Sequence, residues 1–462
     1  MSDLAPSDVA AAAMVESPIY RKGEELKPWQ RAFVSLFLKH RELYGCVRLL
    51  LADEVGVGKT LSMAASAMLS CLLDDGPALI LTPATLCDQW QVELKDKLGI
   101  PSAVWLSNRK MWRDHNGHLI RTRGAEDIVR CPFRIGIVST GLLFRRTDEY
   151  DLLLNRRYGT VILDEAHKAR MTRGITGTGS PTNLLEFMRK VAERSKHVLL
   201  GTATPVQTHI EELWDLLDIL NRGADFVLGR PYSTWANPDK ALAVITGKQL
   251  IVDEQETWEL LRNPLPPAHE GQLFDHIRSD LGIRKDQFFS DKPVTDLDQF
   301  TRDELHDLLE TQNEGLAFLQ LNNPILRHTV LRKRQMLEEL GLIDKIPVDI
   351  WPSTKEPLGI FDGNGLPTTP EFDRAYEAAM DFTSAIKRRG AGFMENMMLQ
   401  RICSSIASGI STAKTLLKKR VPQEDSENDL EFFANAPEIN EASAEASHLK
   451  RLIEHLEARY CF

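Results

Sequence analysis

The sequence predicts an α/β protein: a parallel β-sheet with helices on both faces, followed by a mainly α-helical extension. Three observations lead to this prediction. Between residues 26 and 221, short apolar runs bounded by turn residues alternate with amphipathic stretches. A glycine-rich loop follows the first of these runs. From residue 301 onward, apolar residues recur with helical spacing.

The predicted strands are mostly apolar, as expected for a parallel sheet that is covered on both sides. They are Arg48–Ala52, Ala78–Thr82, Arg134–Val138, Thr160–Leu163 and His197–Leu200. Farther along, Thr301 and Glu304 form a capping box ahead of Leu305, which predicts the start of a long helix.

The chain divides into six predicted regions. They are a flexible N-terminal tail (1–24), a nucleotide-binding lobe (25–222), an irregular, proline-interrupted insertion or connector (223–298), a helical extension (299–420), an acidic linker (421–447) and a terminal helix (448–462). A length of 462 residues agrees with about three domains. The role of the connector is not predicted.

Composition and charge exclude several classes of protein. Hydrophobic residues make up 43% and charged residues 26%, which fits a folded globular chain. No apolar run approaches the roughly 20 residues that span a bilayer, and the acidic N-terminus does not resemble a secretory signal, so a cytoplasmic or nuclear location is expected.

The six cysteines form no CxxC pair, which argues against zinc and disulfides. The net charge of -10 includes eight acidic residues between 421 and 447, so about -2 remains elsewhere and a nucleic-acid partner is not excluded.

The strongest motif is the segment from Asp53 to Thr60, between an apolar strand and a helix. Gly56 and Gly58 allow backbone N–H groups to close around phosphate oxygens, Lys59 reaches the β and γ phosphates, and the Thr60 hydroxyl binds Mg²⁺. Asp53 replaces the first glycine of the general pattern, so a chance glycine loop stays open as an alternative.

A second motif, Asp164-Glu165-Ala166-His167, follows the apolar strand Val161-Ile162-Leu163. Asp164 is expected to hold Mg²⁺ and Glu165 to activate the water that attacks the γ-phosphate. Alone, the tetrapeptide is equally typical of a helix start. Together with the phosphate loop, it predicts a site for ATP and Mg²⁺.

These blocks together resemble the first RecA-like lobe of superfamily-two helicase-type ATPases, specifically Swi/Snf-type DNA translocases and their bacterial relatives. Leu26-Lys27-Pro28-Trp29-Gln30 is similar to the adenine-side motif, which implies that Gln30 contacts the base. The nucleotide loop of this family includes an acidic pair before the glycines, so Asp53 and Glu54 are expected. Pro324 to Val330 resembles the segment that leaves the first lobe.

The resemblance also implies nucleic-acid and coupling residues. Thr82 and Pro83, in a block that includes Gln89 and Trp90, and Ser139 with Thr140 resemble motifs that touch the nucleic-acid backbone. His167 with Thr202, Thr204 and Gln207 of the Gly201–Gln207 block is expected to couple nucleotide state to DNA grip. The alternatives are ordinary strand-to-helix turns, because Thr208 and Glu211 also predict a capping box.

The resemblance implies a partner as well. A second RecA-like lobe, in cis or in trans, supplies arginines on a Q-x-x-x-R-x-x-R block, and this sequence contains no such block. Because an arginine finger contributes roughly 10³ to 10⁵ in rate, the chain alone is expected to hydrolyse ATP slowly. Whether a truncation, a split gene or a fragment explains the missing block is left open.

Basic residues between the two backbone-touching blocks are candidate contacts to duplex DNA, interleaved with Trp105 and Trp112. They are Arg109, Lys110, Arg113, Arg121, Arg123, Arg130 and Arg134. A solvated surface loop is an equally good interpretation, and the runs Arg332–Arg334 and Lys387–Arg389 are similarly open. The predicted function is ATP-driven translocation on duplex DNA through backbone contacts. The alternatives are a non-catalytic, nucleotide-gated subunit that binds DNA or protein, and a nucleotide switch unrelated to nucleic acid.

Overall fold

The computed structural model describes residues 25–172, 179–248, 253–313, 319, 322–345, 369–385, 391–418 and 443–458. The chain forms two compact units, Met1–Ile343 and Asp344–Phe462. The predicted tail, most of the acidic linker and the run Lys387–Arg389 lie outside the described residues.

The first unit alternates strands and helices through most of its length. Its helices are α1 (Pro28–Tyr44), α2 (Lys59–Leu72), α3 (Ala84–Asp96), α4 (Gly141–Phe144), α5 (Asp148–Leu154), α6 (Asn183–Ala192), α7 (Glu211–Asn221), α8 (Pro238–Ile245), α9 (Glu254–Leu261), α10 (Gln272–Leu281), α11 (Gln299–Asn313), α12 (Pro324–His328) and α13 (Arg334–Glu339). Its strands are β1 (Arg48–Leu51), β2 (Ala78–Thr82), β3 (Ala103–Leu106), β4 (Met111–Asp114), β5 (Leu119–Ile120), β6 (Ile135–Ser139), β7 (Tyr158–Asp164), β8 (Met171–Thr172), β9 (Ser180–Pro181), β10 (Ser195–Gly201) and β11 (Thr329–Val330).

Nine of these strands form one sheet in the order β11-β1-β10-β7-β2-β6-β3-β4-β5. Every pairing from β11 to β3 is parallel, and only the β3–β4–β5 edge is antiparallel. All five predicted strands are present, and the predicted α/β class is confirmed. Since parallel strands end at one edge of the sheet, the loops after β1, β2, β7 and β10 lie at the same edge, where such sheets bind ligands.

The central strands are buried because helices cover both faces. Every residue of β1, β2 and β7 is buried. Phe33 and Phe37 of α1 and Met63 and Ala64 of α2 pack with the sheet in one hydrophobic core. The sequence shows these strands as unbroken apolar runs for the same reason.

The antiparallel edge is a hairpin that contains the two tryptophans expected among the basic residues. Trp105 and Trp112 face each other across β3 and β4 with their ring centroids 5.2 Å apart. Both are almost fully buried. They form the core of the hairpin, so they are not available to stack on nucleic-acid bases.

Residues 223–298, predicted to be irregular, contain the three helices α8, α9 and α10. Pro238 does not interrupt a helix but occupies its first turn, where a proline is tolerated. The predicted Thr301–Glu304 capping box is absent: α11 begins at Gln299, and Asp298 accepts the Thr301 N–H at 2.7 Å. The division after Ile343 falls inside the predicted helical extension.

The second unit is helical in its described part. Its helices are α14 (Pro370–Ala385), α15 (Ala391–Ser404), α16 (Ile406–Lys418) and α17 (Ala444–Glu457). Phe382, Leu449 and Leu452 belong to its apolar core. Within the described part of the chain, no helix has the length and apolar character needed to cross a membrane.

Candidate nucleotide-binding site

The glycine-rich loop joins the end of β1 to the start of α2, at the edge where the parallel strands end. Gly56 and Gly58 have φ angles of 83° and 91°. A Cβ at position 58 would also meet Gln30 Nε2, which would have to shift. Both the backbone conformation and the position of Gln30 therefore favour glycine at position 58.

Helix α1 holds the loop on one side. Gln30 Nε2 donates to Gly58 O at 3.2 Å, and Trp29 Nε1 donates to Val57 O at 2.8 Å. The other end of the Gln30 amide accepts from Lys27 N at 2.9 Å. Gln30 is buried, and these bonds place it beside the loop; its contact with an adenine base stays a prediction.

Lys59 ends the loop, where its charge interacts with those of the acidic motif. Its ammonium donates to Asp53 O at 2.8 Å and to Glu54 O at 3.2 Å. Burial lowers the pKa of Lys59, and the negative charges of Asp53, Glu165 and Asp164 oppose that change. Lys59 and both carboxylates of the DEAH motif therefore interact electrostatically, and their binding of one triphosphate stays a prediction.

Asp164 ends β7 with its carboxylate fixed by three hydrogen bonds. Its Oδ2 accepts from Trp90 Nε1 at 2.8 Å and from Thr82 Oγ1 at 3.3 Å, and its Oδ1 accepts from Glu165 N at 3.0 Å. The sequence interpretation missed this use of Trp90. The sequence holds no local signal for it, because α3 starts beside the end of β7 only through the pairing of β2 with β7.

Glu165 is half-buried and has a left-handed backbone with φ of 53°. Such a conformation is uncommon outside glycine, asparagine and aspartate and is often found at functional sites. Burial raises the pKa of Glu165, and the neighbouring Asp164 raises it further. A carboxylate with raised basicity, aimed from the edge of the sheet, suits a role as a general base.

His167 joins the acidic motif to the Gly201–Gln207 block. Its Nδ1 lies 3.1 Å from Thr202 Oγ1 and 3.3 Å from Glu165 Oε2. Burial, with Lys168 and Arg170 nearby, lowers the pKa of His167 to about 4. The ring is therefore neutral at pH 7 and forms no ion pair with Glu165 at that pH.

Hydrogen bonds between its own residues hold the block after β10 together. Thr204 N donates to Thr202 Oγ1 at 3.1 Å, and Gln207 Nε2 lies 3.4 Å from Thr204 Oγ1. The predicted capping box at Thr208 and Glu211 is wrong: Thr208 Oγ1 donates to Glu212 at 2.9 Å, and α7 begins at Glu211. The expected coupling residues thus form a connected set.

The residues expected to hold Mg²⁺ have suitable chemistry. Mg²⁺ prefers oxygen ligands and is usually held by one or two protein groups together with phosphates and waters. Asp164 supplies an oriented carboxylate, and the half-exposed Thr60 lies in the first turn of α2. No group of three or more His, Cys, Asp or Glu side chains suited to a metal occurs among the described residues.

The four residues expected to touch nucleic acid are not equally accessible. Thr82, Pro83 and Thr140 are buried, whereas Ser139 is partly exposed. The Thr82 hydroxyl is used by Asp164. Burial leaves the side chains of Thr82, Pro83 and Thr140 little surface for an outside partner, and the contact of all four residues with nucleic acid stays a prediction.

The candidate basic residues lie in the hairpin or follow it along the chain, and they divide into two groups. Lys110, Arg113, Arg130 and Arg134 pair with Glu149, Asp88, Asp127 and Asp74. The other arginines are exposed and form no ion pair with another described residue: Arg109, Arg121 and Arg123. Only this second group offers unpaired positive charge at the surface.

A phosphate loop and an acidic pair that follow two parallel strands on either side of β10 define a P-loop nucleotide-binding protein of the helicase-like class. Residues 29–258 match the SNF2-related domain, and through this domain the chain belongs to the Swi/Snf-type family.

Similar proteins cover part of the chain. It is 34% identical over 177 residues to the uncharacterized ATP-dependent helicase YqhH of Bacillus subtilis, spanning 38% of this chain and 26% of that protein. It is 28% identical over 208 residues to the protein CHROMATIN REMODELING 19 of Arabidopsis thaliana, spanning 42% of this chain and 25% of the relative. The chain thus spans about a quarter of the length of these curated relatives. The Sulfolobus solfataricus SWI2/SNF2 ATPase core in complex with dsDNA aligns with a TM-score of 0.38 and 16% identity, over 90% of this chain and 65% of that one.

Proposed function

We propose that this chain binds ATP·Mg²⁺ between the glycine-rich loop and the DEAH motif and hydrolyses it. The placement of both motifs at one edge of the sheet carries the proposal: β1 and β7 flank β10, and Gly201 of β10 pairs with both Leu51 and Asp164. Lys59 neutralises the β and γ phosphates, and Glu165 orients and deprotonates the attacking water. When bound through Thr60 and Asp164, Mg²⁺ would offset charge on the phosphate oxygens. Gln30 contacts the adenine.

We propose further that hydrolysis drives movement along duplex DNA, held by its backbone. Membership in the Swi/Snf-type family supports this, and one similar protein is described as an ATP-dependent helicase. The unpaired arginines of the hairpin supply a surface for phosphate contacts, and Ser139 adds a hydroxyl. The hydrogen bonds among His167, Thr202 and Thr204 link the acidic motif to the block after β10, so a change at the γ-phosphate would alter the position of that block.

A second RecA-like lobe, in cis or in trans, is part of this proposal as the source of a catalytic arginine. Arg332 lies at the phosphate loop but is bound to Asp53 and Trp29 O. It is therefore already engaged and does not replace an arginine finger.

Two variants of the nucleotide site test the proposal. Lys59→Ala removes the phosphate-binding charge and is expected to abolish binding of ATP. Glu165→Gln keeps the side-chain shape but removes the base, so ATP should bind as before while turnover falls by roughly 10² to 10⁴. Lys39→Ala, an exposed lysine on α1, serves as the matched control and should change neither quantity.

The measurements are nucleotide affinity by titration and steady-state phosphate release, each with and without duplex DNA. Stimulation of turnover by DNA supports the translocase. Nucleotide-dependent DNA binding without turnover, even with added second-lobe protein, identifies a non-catalytic subunit instead. Unchanged hydrolysis in Glu165→Gln contradicts the assignment of the base.

A further inference from the structure

A segment far along the chain returns to the phosphate loop. Strand β11 pairs with β1 in parallel, and the backbone ladder continues beyond the strand: Ala52 N donates to Val330 O at 2.7 Å, and Glu54 N donates to Arg332 O at 3.1 Å. We name residues 329–343, which include β11 and α13, the clasp segment. The clasp segment therefore contacts the first residues of the loop directly.

Arg332 forms the central contact. Its Nε donates to Asp53 Oδ1 at 2.9 Å and its Nη2 to Asp53 Oδ2 at 2.7 Å, while its backbone N–H also donates to Oδ1 at 3.0 Å. Only 1% of the Asp53 side chain and 12% of the Arg332 side chain are exposed. Such a two-point guanidinium–carboxylate contact fixes both position and orientation.

The same pair accommodates a buried aspartate at the position of the usual first glycine of the loop. Burial raises the pKa of the Asp53 carboxyl, and the hydrogen bonds and charge of Arg332 oppose that rise. An unpaired carboxylate at this depth would be costly, so the residue type at position 53 depends on the arginine 279 residues later.

Two further contacts hold the clasp segment to other parts of the loop. Arg334 N donates to Glu54 Oε2 at 2.5 Å. Leu337 packs against Trp29 and Val57 in a small hydrophobic cluster. The Lys59 ammonium binds the carbonyl oxygens of Asp53 and Glu54, the same two residues that the clasp segment holds.

We propose that Arg332 is a positioning residue for the nucleotide site, and that docking of the clasp segment and binding of nucleotide strengthen each other. This inference rests on the proposed function. Arg332 acts through Asp53, which sets the path of the loop toward Gly56, Gly58 and Lys59. If a docked clasp segment favours the nucleotide-binding shape of the loop, bound nucleotide must favour the docked segment by the same factor.

The first test uses the unmodified chain, so it does not depend on a variant that folds. Hydrogen exchange of residues 329–343 is measured with Mg²⁺, with and without a slowly hydrolysed ATP analogue. Exchange should slow by roughly 5- to 150-fold at saturating nucleotide, the usual range of coupling between sites. Lys59→Ala, which cannot bind nucleotide, should show no such slowing.

The second test uses Arg332→Ala, with Arg334→Ala as the matched control. The Arg334 side chain pairs with Glu338 within α13, and its bond to the loop comes from its backbone, so that variant leaves the loop contact intact. Arg332→Ala should weaken analogue binding by roughly 5- to 150-fold and abolish the nucleotide-dependent slowing. Arg332→Lys, which keeps the charge but loses the planar two-point geometry, should lie between.

The outcomes separate the two proposals. If the unmodified chain binds no nucleotide, the proposed function fails and this inference fails with it. If the chain binds nucleotide but exchange of residues 329–343 does not respond, and Arg332→Ala binds the analogue within twofold of the unmodified chain, the inference alone is overturned.

Discussion

Replacing Trp90 tests how the Asp164 carboxylate is held in place without changing any residue of the acidic motif. Its indole N–H donates to Asp164 Oδ2 at 2.8 Å, and both side chains are buried. Trp90→Phe removes this donor while keeping an aromatic ring in the core. Asp164 Oδ2 then retains the Thr82 hydroxyl at 3.3 Å.

The size of the effect follows from the charge of the acceptor. A hydrogen bond to a charged group contributes about 1.5 to 3 kcal/mol, so the free energy of unfolding of the first unit should fall by about 2 kcal/mol. Because Trp90 orients a predicted Mg²⁺ ligand, the Mg²⁺ concentration for half-maximal ATP turnover should increase by roughly tenfold or more.

Trp105→Phe is a matched control. Trp105 is also buried, but its indole nitrogen has no hydrogen-bond partner in the described structure. The same change of ring should therefore cost less than about 1 kcal/mol and leave the Mg²⁺ requirement unaltered.

Urea unfolding followed by tryptophan fluorescence measures the first quantity, because seven of the eight tryptophans precede residue 344. A Mg²⁺ titration of turnover measures the second. Equal unfolding free energies for Trp90→Phe and Trp105→Phe, with equal Mg²⁺ requirements, would refute the assignment of Trp90 as a support for Asp164.

Three further predictions concern the loop, a buried histidine and the hairpin. Gly58→Ala should lower ATP-analogue affinity far more than Gly56→Ala in a binding titration, because a Cβ at position 58 meets Gln30 whereas the space at position 56 is open; equal decreases in affinity would contradict this. Burial lowers the pKa of His328 to about 4, and its Nδ1 lies 2.8 Å from Arg48 O. Its pKa in the unfolded chain is about 6.5, so protons bind the unfolded chain first and stability falls by about 2 kcal/mol between pH 7 and pH 5. His328→Asn should show a shallower fall in urea unfolding at these pH values, and an unchanged slope would speak against it. Replacing Arg109, Arg121 and Arg123 by alanine should reduce the slope of duplex-DNA affinity against salt by about 0.9 for each DNA phosphate that the variant no longer neutralises. Arg130→Ala, which removes a paired arginine, should leave the slope unchanged, and equal slopes for both variants would exclude the hairpin.

The sheet and the two main motifs were predictable because their signals are local. Buried parallel strands such as β7 appear as unbroken apolar runs. Glu165 directly follows β7, and the glycine-rich loop that ends at Lys59 follows another such run. The helices of residues 223–298 were missed because prolines were counted as interruptions. Pro238 instead begins α8, a position at which its lack of an N–H costs nothing.

The supports of the site were beyond sequence reasoning because they join distant parts of the chain. Trp90 reaches Asp164 across 74 residues, and Arg332 reaches Asp53 across 279. Thr82 was assigned to nucleic acid from its motif, yet its hydroxyl points inward to Asp164. The neighbouring strands decide whether a side chain at the end of a strand points into the protein or toward solvent. The order of those strands in the sheet cannot be derived from one motif.

The most direct measurement is a crystal structure of the chain with Mg²⁺ and a slowly hydrolysed ATP analogue. We expect one triphosphate whose γ-phosphate lies within hydrogen-bonding distance of Lys59 Nζ and one water away from the Glu165 carboxylate. A triphosphate bound elsewhere, or one that contacts Lys59 while Glu165 faces a separate cavity, would contradict it.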